Sequence, residues 1–196
     1  MKSLLNALLI LVVLTVLTGI VYPAVVTAIA VVCFPAQAQG SLTYNKGQVD
    51  GSRLIAQKFV DRRYFWPRPS ATDFSAMPSG GSNLIPGADT LRQLVDARRS
   101  AFGSANGLSS RDTVATDMLF TSGSGLDPDI SPEAAQQQIG RVARERGLTA
   151  GQTTSLAALV ARSVEPRQLG FLGVPRVNVL QLNQELDRLL THGGML

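Results

Sequence analysis

At 196 residues, with 45% hydrophobic and 16% charged side chains, the chain has room for one domain of ordinary size plus an appendage. A formal net charge of +4, from 18 basic and 14 acidic residues, is too mild a balance to argue for a nucleic-acid partner. The single cysteine, Cys33, excludes an intramolecular disulfide, so an exported domain would have to fold on its core alone or lean on a partner.

From Leu4 to Phe34 the only strongly polar side chain is Asn6. At about 1.5 Å per residue this run exceeds the roughly 30 Å hydrocarbon core of a bilayer, which predicts a single transmembrane helix with residues 1–35 as the anchor. The competing reading is a cleaved signal peptide, because Lys2 supplies a positive start and "FPAQAQG" offers Ala36 and Ala38 in an A-x-A pattern. The apolar part of a signal is usually only about 7–15 residues, which favours the anchor. Lys2 and the amino terminus are the only charges ahead of the span. That predicts a cytoplasmic N-terminus and an exported domain over residues 36–196. Pro23 lacks an N–H and crowds the carbonyl of Gly19, so a kink is expected there. Thr15, Gly19, Pro23 and Thr27 recur at helical spacing beside Ala24 and Ala28, a stripe of small residues suited to a neighbouring helix.

A short linker around Gln37–Ser41 leads into alternating amphipathic helices and short extended pieces, which predicts a mixed α+β class with helix in excess. Ser52 is placed to cap a helix from Arg53 to about Val60. In "KFVDRRYFWPRPS", Lys58, Arg62, Arg63 and Arg68 interleave with Phe59, Tyr64, Phe65 and Trp66, and the pattern reads as a partly buried aromatic turn with solvated arginines. Asp89 caps the next helix, with Leu91, Leu94, Val95 and Phe102 on its apolar face, Gly103 as its stop, and a mobile loop over residues 103–112. "DMLFTS", Asp117–Ser122, is a candidate strand feeding the turn "GSGLDP". Ser131, Pro132 and Glu133 start a helix that runs to about Arg146 and stops at Gly147. Thr149 and Gln152 make a capping box for a helix to about Ser163. "LGFLGVPRVNV" supplies turns and a short strand, and Asn178 caps a last helix with Leu182, Leu186, Leu189 and Leu190 on its core face.

The chemistry is sparse. "FSAMPSGGSNLIPGAD" has the makings of a phosphate loop, because Ser79, Gly80, Gly81, Ser82 and Asn83 offer hydroxyls, an amide and glycines whose N–H groups can turn toward an anion. A Walker A loop is excluded, since none of Lys2, Lys46 and Lys58 follows a suitable glycine. "TSGSGLD" approaches a nucleophile elbow, but Ser122 stands where the first glycine belongs, and the sole histidine, His192, lies in the tail "THGGML". Asp127, Asp129, Ser131 and Glu133 alternate like the start of a calcium loop, yet Pro132 replaces its glycine and Gln138 its bidentate glutamate, so a helix-capping turn is the better account.

"GSRLIAQKF", "YFWPRPSA", "SGGSNLIP", "SGSGLDPDIS", "RVARERGL" and "LGFLGVPRVNVLQLNQELD", in this order behind one span, closely resemble the family of C subunits of the bacterial Kdp potassium-transporting ATPase over nearly the whole chain. Asp129 stands where many relatives have histidine, and Phe74 where tyrosine is common. The resemblance implies a non-catalytic subunit with no cofactor of its own, in a pump that uses ATP and Mg²⁺ and transports potassium. Its implied partners are a channel-like subunit, a P-type ATPase subunit and a small membrane peptide. The family is described as a catalytic chaperone that raises the ATP affinity of the hydrolytic subunit, with the loop Ser79–Asn83 likened to a nucleotide-covering signature loop. The predicted topology puts that loop on the far side of the membrane from cytoplasmic ATP, so an allosteric effect is expected and direct nucleotide contact is the alternative.

Overall fold

The structure, a computed structural model, describes residues 2–45, 47–109 and 111–192, so the reading of the "THGGML" tail falls largely outside the described residues. The chain forms two compact units, Met1–Ser52 and Arg53–Leu196.

The first unit begins with α1 (Lys2–Val16), a π-helical turn (Leu17–Val21) and α2 (Tyr22–Cys33). Together they make one apolar helix of 32 residues, long and apolar enough to cross a membrane and unburied within the chain. The expected disturbance around Pro23 takes the form of the π turn. The Tyr22 N–H reaches back to the Leu17 carbonyl, five residues away, and this widened turn makes room next to the proline ring. A short helix α3 (Pro35–Ala38) precedes a hairpin of β1 (Leu42–Asn45) and β2 (Gln48–Ser52), paired antiparallel with a bulge between Thr43 and Tyr44. Ser52 is therefore a strand end and not a helix cap; its hydroxyl donates to the Gly40 carbonyl at 2.7 Å. Residues 53–60 are irregular, because the segment makes a non-local bond, Ala56 N–H to the Leu126 carbonyl at 2.9 Å, that a helix would forbid.

The second unit stacks α4 (Asp89–Asn106), α5 (Pro132–Glu145), α6 (Ala150–Arg162) and α7 (Val179–His192), each against the next in the chain. Between them β3 (Asp129–Ile130) and β4 (Val177–Asn178) form a two-residue antiparallel ladder, so the α+β class holds with helix in excess. The core gathers Ala134, Ala135 and Val142 of α5, Leu156 and Leu159 of α6, and Leu182 and Leu186 of α7 around Phe65, all fully buried.

Two helix starts are local and simple. The Ser131 hydroxyl accepts the Ala134 N–H at 3.0 Å, and Thr149 and Gln152 form the expected reciprocal capping box. Helix α4 departs from expectation at both ends. Ala88 is its N-cap residue, with Asp89 inside the first turn, where its charge suits the helix dipole. It continues past Gly103, which is buried, to Gly107 at φ +71°, so the left-handed stop lies one turn later and residues 103–106 are helix. Nor is Asp117–Ser122 a strand. Thr116–Met118 form a 3-10 turn, because Asp117 turns inward to accept the Ser131 N–H (2.6 Å) and hydroxyl (2.9 Å).

"YFWPRP" threads through the middle of this unit. The Phe65 N–H donates to Asn183 Oδ1 (2.8 Å), and Asn183 Nδ2 returns a bond to the Phe65 carbonyl (3.0 Å). Trp66 is bracketed in the same way by Gln138, at 2.7 and 3.2 Å. Two side-chain amides thus do for an isolated segment what neighbouring strands do in a sheet. Arg141 closes the arrangement: it is fully buried, bonds the carbonyls of Arg62 and Tyr64, donates to Asn106 and Gln138, and lies 3.8 Å from the Trp66 ring centroid. Phe65 is buried and Trp66 half-buried, while Arg62 and Arg63 stay in solvent, as the aromatic-turn reading expects; Arg68 departs from it, half-buried and ion-paired to Asp127 at 2.7 Å.

Candidate functional site

The loop Ser79–Asn83 lies beside a second glycine-serine loop, Thr121–Gly125. The Gly80 N–H donates to the Ser124 carbonyl at 2.9 Å, and the Thr121 hydroxyl meets the Ser82 hydroxyl at 3.3 Å. Gly81 packs closely: a Cβ there would stand 3.2 Å from the Gly123 carbonyl oxygen. The tightest point is Gly125, at φ +70°, where a Cβ would come within 2.9 Å of both the Gly80 carbonyl oxygen and Thr72 Oγ1. Gly80 and Gly81 do not use the left-handed region; in their loop the positive φ belongs to Asn83, at +50°. The glycine of the paired loops that needs its conformational freedom is therefore Gly125, not Gly80 or Gly81.

Of the five predicted site residues, Ser79, Ser82 and Asn83 are exposed, while Gly80 and Gly81 are half-covered by the second loop. The structure keeps all five in one irregular surface loop, with the Gly80 N–H already bonded within the chain. Ser70 stitches the neighbouring turn, accepting the N–H groups of Thr72 (3.2 Å) and Phe74 (2.9 Å). Phe74 sits at φ +64° and Asp73 at +52°, and Asp73 holds Lys58 in an ion pair of 2.7 Å.

A cleft of about 490 Å³ opens beside β3 and β4, with Arg68, Asp117, Phe120, Asp127, Asp129 and Arg176 in its walls. The two aspartates of the calcium-like run are both committed: Asp127 to Arg68 at 2.7 Å, Asp129 to Arg176 at 3.1 Å and to Asn178 at 3.2 Å. Among the described residues no cluster of three or more His, Cys, Asp or Glu side chains is arranged to hold a metal ion. Ser131 caps α5, so this run is the helix-capping turn it was read as. Burial pushes the Asp129 carboxyl above its ordinary range, outweighing Asn178 and Arg176, which favour the ionised form.

The feature that sequence reasoning undervalued is the segment from Glu165 to Arg176. It forms a hairpin with Leu169, Phe171, Leu172 and Val174 exposed. The available signal was four apolar residues punctuated by Gly170 and Gly173, with no helical or alternating period to bury them.

Residues 4–188 match the family model described as the c chain of the K+-transporting ATPase. The chain is 50% identical over 194 residues to the potassium-transporting ATPase KdpC subunit of Geobacter sulfurreducens, covering 97% of this chain and 100% of that protein. The KdpC subunit of Citrifermentans bemidjiense is 48% identical over 191 residues, covering 95% and 97% respectively. That of Burkholderia vietnamiensis is 50% identical over 191 residues, with the same two shares, 95% and 97%.

Proposed function

The chain belongs to the family of K+-transporting ATPase c chains, and from that premise we propose that it is a non-catalytic accessory subunit of an ATP-driven potassium uptake complex. It assembles with a channel-like subunit that carries potassium, a P-type ATPase subunit that uses ATP and Mg²⁺, and a small membrane peptide. Its single span sits in the bacterial inner membrane with the N-terminus cytoplasmic, and residues 36–196 are periplasmic. It stabilises the complex and acts as a catalytic chaperone, raising the ATP affinity of the P-type subunit from a distance. A coupling free energy of about 1–3 kcal/mol between two sites is enough for such an effect and requires no shared contact.

The observation that carries the allosteric reading is the closure of the Ser79–Asn83 loop on its neighbour. A phosphate nest needs successive N–H groups turned outward by alternating right- and left-handed residues. Here the Gly80 N–H bonds Ser124, and neither Gly80 nor Gly81 has a positive φ. The loop also contributes no cation to meet a phosphate, since residues 79–83 are Ser, Gly, Gly, Ser and Asn.

The test is the double variant Ser79→Ala and Ser82→Ala in the assembled complex, which removes the loop's two exposed hydroxyls without touching a core contact. The KM for ATP is expected to stay within about twofold of wild type, the scale of a surface change. A rise of about tenfold would be a lost contact of roughly 1.4 kcal/mol and would favour direct nucleotide binding. Protease digestion of the C-terminal unit in intact spheroplasts tests the orientation separately; resistance from outside would overturn the periplasmic assignment.

A further inference from the structure

The hairpin from Glu165 to Arg176 is held too firmly to be a loose connection. Glu165 and Arg176 exchange backbone hydrogen bonds at 2.8 and 3.1 Å, and Gln168 and Leu172 exchange a second pair, both at 2.9 Å. At the base, Arg176 reaches Glu165 (2.7 Å) and Asp129 (3.1 Å), which fixes the hairpin to β3. Its tip turns through left-handed backbone at Leu169 (φ +53°), Gly170 (+83°) and Gly173 (+77°). On this ordered frame Leu169 is 83% exposed, Phe171 69% and Val174 67%. An ordered backbone that keeps a contiguous set of large apolar side chains in water marks an interaction surface.

The cleft is continuous with it, because Val174, Pro175 and Arg176 form one wall and Phe120 another. Arg68 lines the same cleft. Its Nη1 is bonded to Asp127, but its Nε is buried without an acceptor among the described residues.

We propose that the Glu165–Arg176 hairpin and the cleft at its foot are the surface by which this chain docks onto another subunit of the pump. The occupant is a protruding apolar side chain on a protein segment. The proposal rests on the reading of the chain as an assembly subunit. Since the chain carries a membrane span, the rival occupant is a lipid surface. One observation favours protein: a concave cleft needs a convex complement that a fluid bilayer does not offer.

The test places the photo-reactive amino acid p-benzoylphenylalanine at position 171, or at 120 in the cleft, of the full-length chain co-expressed with the rest of the pump. Position 155, exposed on α6, is the control. Irradiated membranes are expected to give an adduct with the same pump subunit from 171 and 120, at least about tenfold above that from 155. The pair Leu169→Ser and Phe171→Ser is expected to lower retention on the affinity-purified pump about tenfold, the scale of losing one or two interface anchors. Because both side chains are exposed, the thermal midpoint read through Trp66 fluorescence should not fall. Adducts only with phospholipid would overturn the docking proposal in favour of the membrane surface. Wild-type chain that co-purifies but gives no adduct above the control would overturn the proposal alone. Absence of the wild-type chain from the purified pump would overturn the assembly reading and the docking surface with it.

Discussion

Arg141 carries a positive charge into the interior with no carboxylate ion-paired to it among the described residues. Four oxygens and the face of Trp66 surround it instead. Burial lowers its pKa to about 10, so it stays charged at neutral pH. Its planar fork is what the arrangement uses, and a lysine cannot reproduce it. Arg141→Lys and Arg141→Ala are each expected to destabilise the second unit by about 3 kcal/mol or more, since both leave buried acceptors without donors. Denaturant unfolding followed by fluorescence checks this directly, because the chain has a single tryptophan and it lies against Arg141. Two aspartates should respond to acid in opposite senses. The Arg63 side chain, helped by the Arg63 N–H, holds Asp61 down to about 2 from 3.8, so its stabilisation is present above 3.8 and lost as pH falls toward about 2. The penalty of Asp61→Asn should therefore shrink on acidification. Asp129 is raised by burial, so its ionised form burdens the fold at neutral pH and protonation relieves that burden. The penalty of Asp129→Asn should grow on acidification, and melts of the detergent-solubilised chain between pH 6 and about 2 compare the two slopes.

Among the elements, the paired loops 79–83 and 121–125 make a sharp contrast between glycines. Gly125→Ala adds a Cβ at φ +70° against the Gly80 carbonyl and should cost at least about 1–2 kcal/mol. Gly80→Ala meets open space at ordinary φ and should stay within about 0.5 kcal/mol of wild type. Thermal melts of the two variants decide whether Gly125 is the glycine on which the pairing depends. Helices α5, α6 and α7 were legible in the sequence because their start signals are local: Ser131 before Pro132, the Thr149–Gln152 box, and Asn178, whose Oδ1 accepts the Gln181 N–H at 3.1 Å. The failures share a different cause. Residues 53–60 and Asp117–Ser122 take their shapes from groups far along the chain, the Leu126 carbonyl for Ala56 and Ser131 for Asp117. Gly103 and Gly107 both resemble stops, and only packing against Leu108 tells the buried glycine from the left-handed one. In the candidate site, the sequence exposed the serines and glycines of residues 79–83 but not their partner loop, since nothing local says that Gly80 will bond Ser124.

At the scale of the whole molecule, the chain joins a helix long and apolar enough to cross a membrane to a unit with its own core. The small-residue stripe through Thr15, Gly19 and Pro23 is the expected place for a neighbouring helix, and nothing among the described residues lies within 4 Å of a Cβ placed on Gly19. Gly19→Leu adds bulk there without disturbing the chain's own packing, so it should reduce co-purification with the pump; unchanged recovery would mean that the stripe faces lipid. The bracketing of Phe65 by Asn183 has a consequence for the life of the chain before it is assembled. These hydrogen bonds join residues 118 apart. Synthesis runs from the N-terminus, so Phe65 emerges long before the helix that will hold it, and ribosome-bound chains that lack α7 cannot close this core. Closure of this part of the second unit therefore awaits arrival of α7, and a chain cut short before Asn183 would leave an unsatisfied aromatic segment for chaperones and proteases to find.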